Sequence, residues 1–254
     1  MKQFPRLAVT IYPLIVLLLS EIYFFQPSAF YLSLGISMLL TLALAWSLRS
    51  PNQSWPWLLA AFIPAVFLVA SSAYASLQMN KIIVQLIFLL ITIFLFVYFR
   101  NLYYFYRRPN LYEAEEFTVV KSFGGLMTIF FAAASMFGLQ SLLNLTTWPM
   151  FLVFVVFSLV MTFVNLEDEP VELAVRGRFS LIIVFILAQA AFIFLLLPLQ
   201  YNVSALCLAI VYYLLINLTK LYFRQALTPK RIRYYLLAGG AGIALLLLTA
   251  RWFN

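Results

Sequence analysis

Long apolar stretches separated by short polar ones run the whole length of the chain. Neither the two-residue alternation of a half-buried strand nor a clear one-sided helical stripe is present. A hydrocarbon core about 30 Å thick needs roughly 20 apolar residues to be crossed by a helix. Nine stretches approach that length: 7–25, 29–48, 55–76, 82–99, 122–143, 148–166, 179–198, 203–223 and 234–250. The last is the shortest, so whether it crosses fully is open. The weak alternating segments of a membrane β-barrel are absent. The pattern predicts an all-α, polytopic transmembrane bundle of about nine spans, built as successive helical hairpins. It is expected to form a single integral membrane domain over 1–254, with no domain outside the membrane.

Composition sharpens this. The 254 residues are 65% hydrophobic, 18% aromatic and 9% charged, which excludes a soluble globule, a disordered tail and a coiled coil. There is no His, which removes His-based zinc sites, bis-His haem and His-activated nucleophiles. Cys207 is the only Cys, so no internal disulfide or iron–sulfur cluster can form. Asp168 is the only Asp, and no phosphate-binding Gly motif occurs among the eight Gly. No catalytic residue, cofactor or resident metal is expected.

The net charge of +8 would suggest a nucleic acid partner in a soluble protein. Here the basic residues flank apolar spans, so the expected partners are the bilayer and anionic lipid, not nucleic acid. With the N-terminus inside, 14 of the 16 Lys and Arg fall in inside segments, leaving Lys81 and Arg251 outside. That split predicts an inward N-terminus and an outward C-terminus in a bacterial-type cytoplasmic membrane. The first span lacks a small-residue cleavage site and reads as a retained helix. Arg107, Arg108, Lys230, Arg231 and Arg233 are expected at inner headgroup level, contacting anionic lipid. The aromatic and basic run 98–112 is expected to lie along the same surface, its rings and Arg residues at the interface.

Odd-numbered spans start through Pro5, Pro56, Pro109, Pro170 and Pro229, where a missing N–H costs little. Asn110 with Glu113, and Glu169 with Glu172, have the three-residue spacing of capping boxes. Two acidic clusters lie in these loops: Glu113, Glu115 and Glu116 in one, Glu167, Asp168, Glu169 and Glu172 in the other. Carboxylates at a membrane face can hold magnesium and a lipid diphosphate. Nine spans, an inward N-terminus and an acidic loop after the sixth span together resemble UbiA-type prenyltransferases. That resemblance implies a membrane enzyme acting on lipid phosphates, with Asp-rich motifs after spans two and six. This chain departs from it: the loop after span two, Arg49-Ser-Pro-Asn-Gln-Ser-Trp55, has no carboxylate. The competing expectation is that the acidic residues favour helix starts and offset neighbouring Arg and Lys.

Inside the spans, the polar residues are Glu21, Gln85, Gln140, Gln189, Asn217 and Lys220. Ionisable residues in a bilayer are functional candidates by default. Glu21 lies about 6 Å from the outer end of its span, and Lys81 begins span four on the same side. A Glu21–Lys81 ion pair pinning spans one and four is expected, and Gln and Asn are expected to join helices. Small residues at 238–242 and 132–135, with Gly138, permit close helix approach. The Asn144-Leu-Thr146 and Asn202-Val-Ser204 sequons sit too close to the membrane for modification. Three functions remain open: a non-catalytic structural or interaction component, a small transporter or lipid-translocating protein, and a lipid-phosphate enzyme. The first is favoured, because it needs no catalytic set. It allows other membrane proteins as partners.

Overall fold

A computed structural model describes residues 4–49, 57–107, 114–143 and 146–250. Among them lie nine α-helices: α1 (Phe4–Phe25), α2 (Phe30–Leu48), α3 (Trp57–Ser76), α4 (Lys81–Arg107), α5 (Ala114–Leu143), α6 (Thr147–Asn165), α7 (Leu173–Leu196), α8 (Tyr201–Phe223) and α9 (Pro229–Thr249). Each is long and apolar enough to cross a membrane. The helices form two compact units, Met1–Gly124 and Gly125–Asn254, divided within α5.

Each expected span matches one helix to within a few residues at most ends, but α4, α5, α7 and α9 extend five or more residues beyond their apolar runs. With 27 residues, α4 is about 40 Å long, well beyond a hydrocarbon core of about 30 Å. It continues unbroken through Tyr103 and Tyr106 to Arg107, so this half of the aromatic run is not a segment lying on the membrane surface. Tyr98, Phe99, Leu102, Tyr103 and Tyr106 are buried. Their rings are core, packed against α1, α3 and α5. Tyr12 of α1 meets Phe99 edge-on at 5.1 Å, and Phe117 of α5 meets Tyr98 at 5.5 Å. The remainder of the run, 108–112, lies outside the described residues.

In the first unit α1 packs antiparallel on α4 and beside α2, and α3 packs on both α2 and α4. The buried side of α2 is largely small or hydroxylic, α3 buries small residues together with Ile63, Phe67 and Leu68, and α4 buries large side chains throughout. On α2 the buried positions begin Ser33, Ser37 and Thr41, one per turn. Ser37 and Thr41 each donate to the carbonyl four residues back, at 2.8 and 2.7 Å. Tyr12 of α1 reaches Thr41 at 2.5 Å. Leu32 and Leu39 face outward. Lipid tails are as apolar as Leu, so α2 gains by burying small residues that let backbones approach, and leaves these leucines to the lipid.

The most enclosed helix of this unit, α3, carries Pro64 in its middle. Pro has no N–H, so the carbonyl of Ala60 loses its helical donor. The fully buried Tyr98 supplies a replacement: its hydroxyl donates to the Ala60 carbonyl at 2.7 Å. On α5, Gly124 makes room for Phe94, since a Cβ there would stand 2.5 Å from the ring.

In the second unit α6 packs on α7, α7 on α8, and α8 on α9. The side of α8 that is buried carries Ser204, Ala205, Cys207, Leu208, Tyr212 and Ile216. Two glycines on neighbouring helices admit large groups: Gly125 of α5 lies against Asn165, and Gly239 of α9 against Leu214. Pro229 opens α9, as expected of a helix start, behind a Thr228 hydroxyl that accepts from the Arg231 N–H.

The Tyr98–Ala60 bond yields a direct test. Tyr98→Phe should cost about 1–3 kcal/mol of stability, the usual cost of a buried acceptor left unpaired. In a Pro64→Ala background position 64 regains an N–H, so the same change should cost clearly less. A denaturation cycle on the four proteins checks this. Equal costs in both backgrounds would mean that the hydroxyl does not serve the carbonyl.

Candidate functional site

Polar side chains within or at the ends of the helices are where chemistry could occur. In the first unit the partly buried Glu21 stands in the last turns of α1. Its carboxylate accepts from the Gln85 amide of α4 at 3.0 Å. Lys81 is exposed at the first residue of α4 and makes no ion pair with Glu21 among the described residues. The structure therefore joins α1 to α4 through Gln85, one turn further along than Lys81. The reason is axial: Lys81 and Gln85 share one face of α4, but Gln85 lies one turn deeper, level with Glu21, whereas Lys81 lies at the helix end, where an ammonium can stay hydrated.

The acidic loop between α6 and α7 also differs from its capping-box expectation. Helix α7 starts at Leu173 behind Glu172, whose side chain makes no capping bond. Glu169 is not a helix cap. It is buried and takes a bidentate contact from Arg224, which follows α8: Nη2 to Oε1 at 2.8 Å and Nε to Oε2 at 2.9 Å. This planar pairing is the strong form of the carboxylate–guanidinium contact. The Glu169 side chain is 1% exposed and that of Arg224 49%. The chain then turns sharply at Gln225, whose φ of 53° lies in the left-handed region. The Ala226 N–H donates to the Leu221 carbonyl at 2.9 Å, closing the end of α8. Asp168 and Glu172 are exposed and Glu167 is half-buried. Arg176 donates to the Glu167 carbonyl at 3.2 Å and stacks over the Phe163 ring. Of the other acidic cluster, Glu116 is exposed, Glu113 lies outside the described residues, and so does the side chain of Glu115. No group of three potential ligands among the described residues is placed to hold a metal.

Of the remaining intramembrane candidates, Asn217 donates to its own helix at the Tyr213 carbonyl, 2.8 Å away. Gln189 is exposed, Gln140 is half-buried and Lys220 is buried near the end of α8. Two contacts escaped sequence reading. One is the Asn165 amide donating to the Tyr212 hydroxyl at 2.8 Å, which joins α6 to α8. The other is the α2 hydroxyl stripe, whose Ser33–Ser37–Thr41 spacing of four was the available signal. Between α5 and α8 lies an apolar cavity of about 350 Å³, lined by Leu126, Met127, Phe130, Leu206, Ala209, Ile210 and Tyr213. Its chemistry suits a hydrocarbon chain.

The expected lipid-contact residues are exposed where described. Arg107 lies at the end of α4, and Lys230, Arg231 and Arg233 lie in the first turns of α9. Arg231 also donates to the Ala226 carbonyl at 2.8 Å. Arg108 lies outside the described residues. Comparison with protein-family models, curated proteins and solved structures finds no match.

The unequal exposure of Glu169 and Arg224 sets an asymmetric expectation. Arg224→Ala strands a buried carboxylate and should cost about 3 kcal/mol, the lower end for breaking a buried pair. Glu169→Ala leaves a guanidinium that already reaches solvent and should cost less. Replacing both should recover part of the Arg224→Ala loss. Thermal unfolding of the three variants in detergent checks the order, and equal losses from the two single changes would contradict it.

Proposed function

We propose that this protein is a non-catalytic, multi-pass membrane component that binds another membrane protein, with α9 as its docking helix. The observation that carries this reading is the burial of α9. Only 6% of its span is buried, against 67% for α3. Gly239 is its one buried residue among those described. Helix α9 is attached to α8 along a single line, at Gly239 and Gly242. Its other side exposes Leu237, Gly240, Ala241, Ala244 and Leu248, a shallow centre of small residues between two leucines. Lipid gains nothing from that shape, whereas a facing helix can approach it closely.

The polar residues support the same reading. Glu21 and Glu169 are each engaged by a side chain of the same unit. The buried hydroxyls of α2 are turned onto backbone carbonyls. A transporter or lipid-translocating protein remains the alternative, supported by a carboxylate, Glu21, within a span. The lipid-phosphate enzyme reading has less support, because Glu169 is occupied by Arg224. The 14-to-2 distribution of Lys and Arg supports an inward N-terminus in a cytoplasmic membrane.

A photo-crosslinking residue placed at Leu237 or Ala244 in native membranes should give a discrete protein adduct. One at Leu181, an exposed residue of α7, should not. Gly240→Leu should abolish the α9 adduct and leave thermal stability unchanged, because a Cβ at Gly240 meets nothing within 4 Å. Lipid adducts alone from the α9 positions, or an adduct insensitive to Gly240→Leu, would overturn the proposal.

A further inference from the structure

We propose that the cleft between the first half of α1 and the last half of α4 binds the phosphate of an anionic phospholipid, with Arg100 as its main contact. The cleft has a volume of about 300 Å³ and is lined by Val9, Thr10, Phe96, Arg100, Tyr103 and Tyr104. No carboxylate lines it. The Arg100 guanidinium lies 5.9 Å from the centre of the Tyr104 ring, which holds it at the wall. Arg100 has no ion pair or hydrogen bond among the described residues. The Tyr103 hydroxyl has no hydrogen bond among them either. Two unused donors, one permanently cationic, therefore belong to one cleft without an acid to match. A guanidinium in that setting recognises an oxyanion, and its planar fork fits phosphate in a bidentate manner.

Depth and surroundings select the source of the phosphate. The apolar run of α4 ends at Phe99, so Arg100 is the first charge beyond the hydrocarbon, at the level of lipid phosphates. Along α4, Ile93, Val97, Arg100 and Tyr104 follow at helical spacing on one side. Ile93 and Val97 are exposed. Leu14 and Leu18, one and two turns past Thr10, are exposed on neighbouring α1. An apolar track thus runs from the guanidinium toward the membrane interior, where acyl chains lie. A free phosphate would use the donors but leave the track unused. A bilayer phospholipid uses both.

The test uses the full chain in neutral detergent, titrated with phosphatidylglycerol or phosphatidylcholine and read by native mass spectrometry. Wild type should retain phosphatidylglycerol in preference to phosphatidylcholine. Arg100→Gln should lower the phosphatidylglycerol-bound fraction about fivefold, consistent with loss of a charge-assisted pair. Lys81→Gln, at the opposite end of α4, should leave it unchanged. Arg100→Lys and Tyr103→Phe should each give a smaller reduction, and they decide the matter by the same readout if Arg100→Gln does not fold. Millimolar inorganic phosphate should not displace the lipid. Unchanged lipid retention in the Arg100 and Tyr103 variants would overturn the proposal. Equal retention of phosphatidylcholine, or full displacement by inorganic phosphate, would also overturn it.

Discussion

Hydrocarbon offers a polar atom no hydrogen-bond partner, and that single constraint decides how the interior of this protein is arranged. Each helix satisfies its own backbone, so what remains to be placed is the side-chain oxygens and nitrogens and the few carbonyls released by Pro. Hydroxyls take the cheapest solution and fold back onto their own helix, as Ser37, Thr41 and Ser71 do. The carbonyl of Ala60, deprived by Pro64, takes its donor from another helix through Tyr98. Amides and carboxylates also pair across helices, Gln85 with Glu21 and Asn165 with Tyr212, and across helix ends, Arg224 with Glu169. These cross-helix bonds fix which faces meet.

The same constraint weakens the usual sorting of residues. Where water is absent, burying Leu gains little over leaving it in lipid, so small side chains that let backbones approach share the contacts with large ones such as Phe67 and Tyr98. Helix α3 presents Ala60, Ala61, Ala65, Ala70, Ser71 and Ala75 to its neighbours and is the most enclosed helix of its unit. On α8, Ser204, Ala205 and Ala209 serve similarly. Helix α9 has the small residues of an enclosed helix but the exposure of a peripheral one. That mismatch makes it the candidate docking helix.

Spans were legible in the sequence because transfer to hydrocarbon is a sum over some 20 residues, and no single residue changes it. Helix ends were less so. A helix does not stop where its side chains become polar, and α4 and α7 run on through Arg107 and back to Leu173. Pairing was the hardest part. Glu21 and Lys81 carry opposite charges at one end of their helices, yet Gln85, one turn deeper on the same face of α4, is level with Glu21 and takes the bond. Glu169 and Glu172 have capping-box spacing, but Arg224, 55 residues away, offers a better partner to a buried carboxylate. The rings of Tyr98 and Tyr106 match the composition of a membrane interface and lie in the core. In each case the deciding quantity is how one segment sits against another, in depth, in rotation or across a long stretch of chain, which near-uniformly apolar spans do not encode.

If the polar atoms are sealed in dry contacts, the interior has no aqueous path and the protein works through its outer surfaces. Water-soluble methanethiosulfonate reagents probe this directly on the protein in its membrane. The native Cys207 and single-cysteine replacements of Ser37 and Ser71 all lie at buried positions. The account predicts that none of the three is labelled while the protein is folded, and that all three react once it is denatured. Rapid labelling at position 37 or 71 in the folded protein would place water along the hydroxyl stripe. That result would contradict the dry bundle and favour a transport pathway.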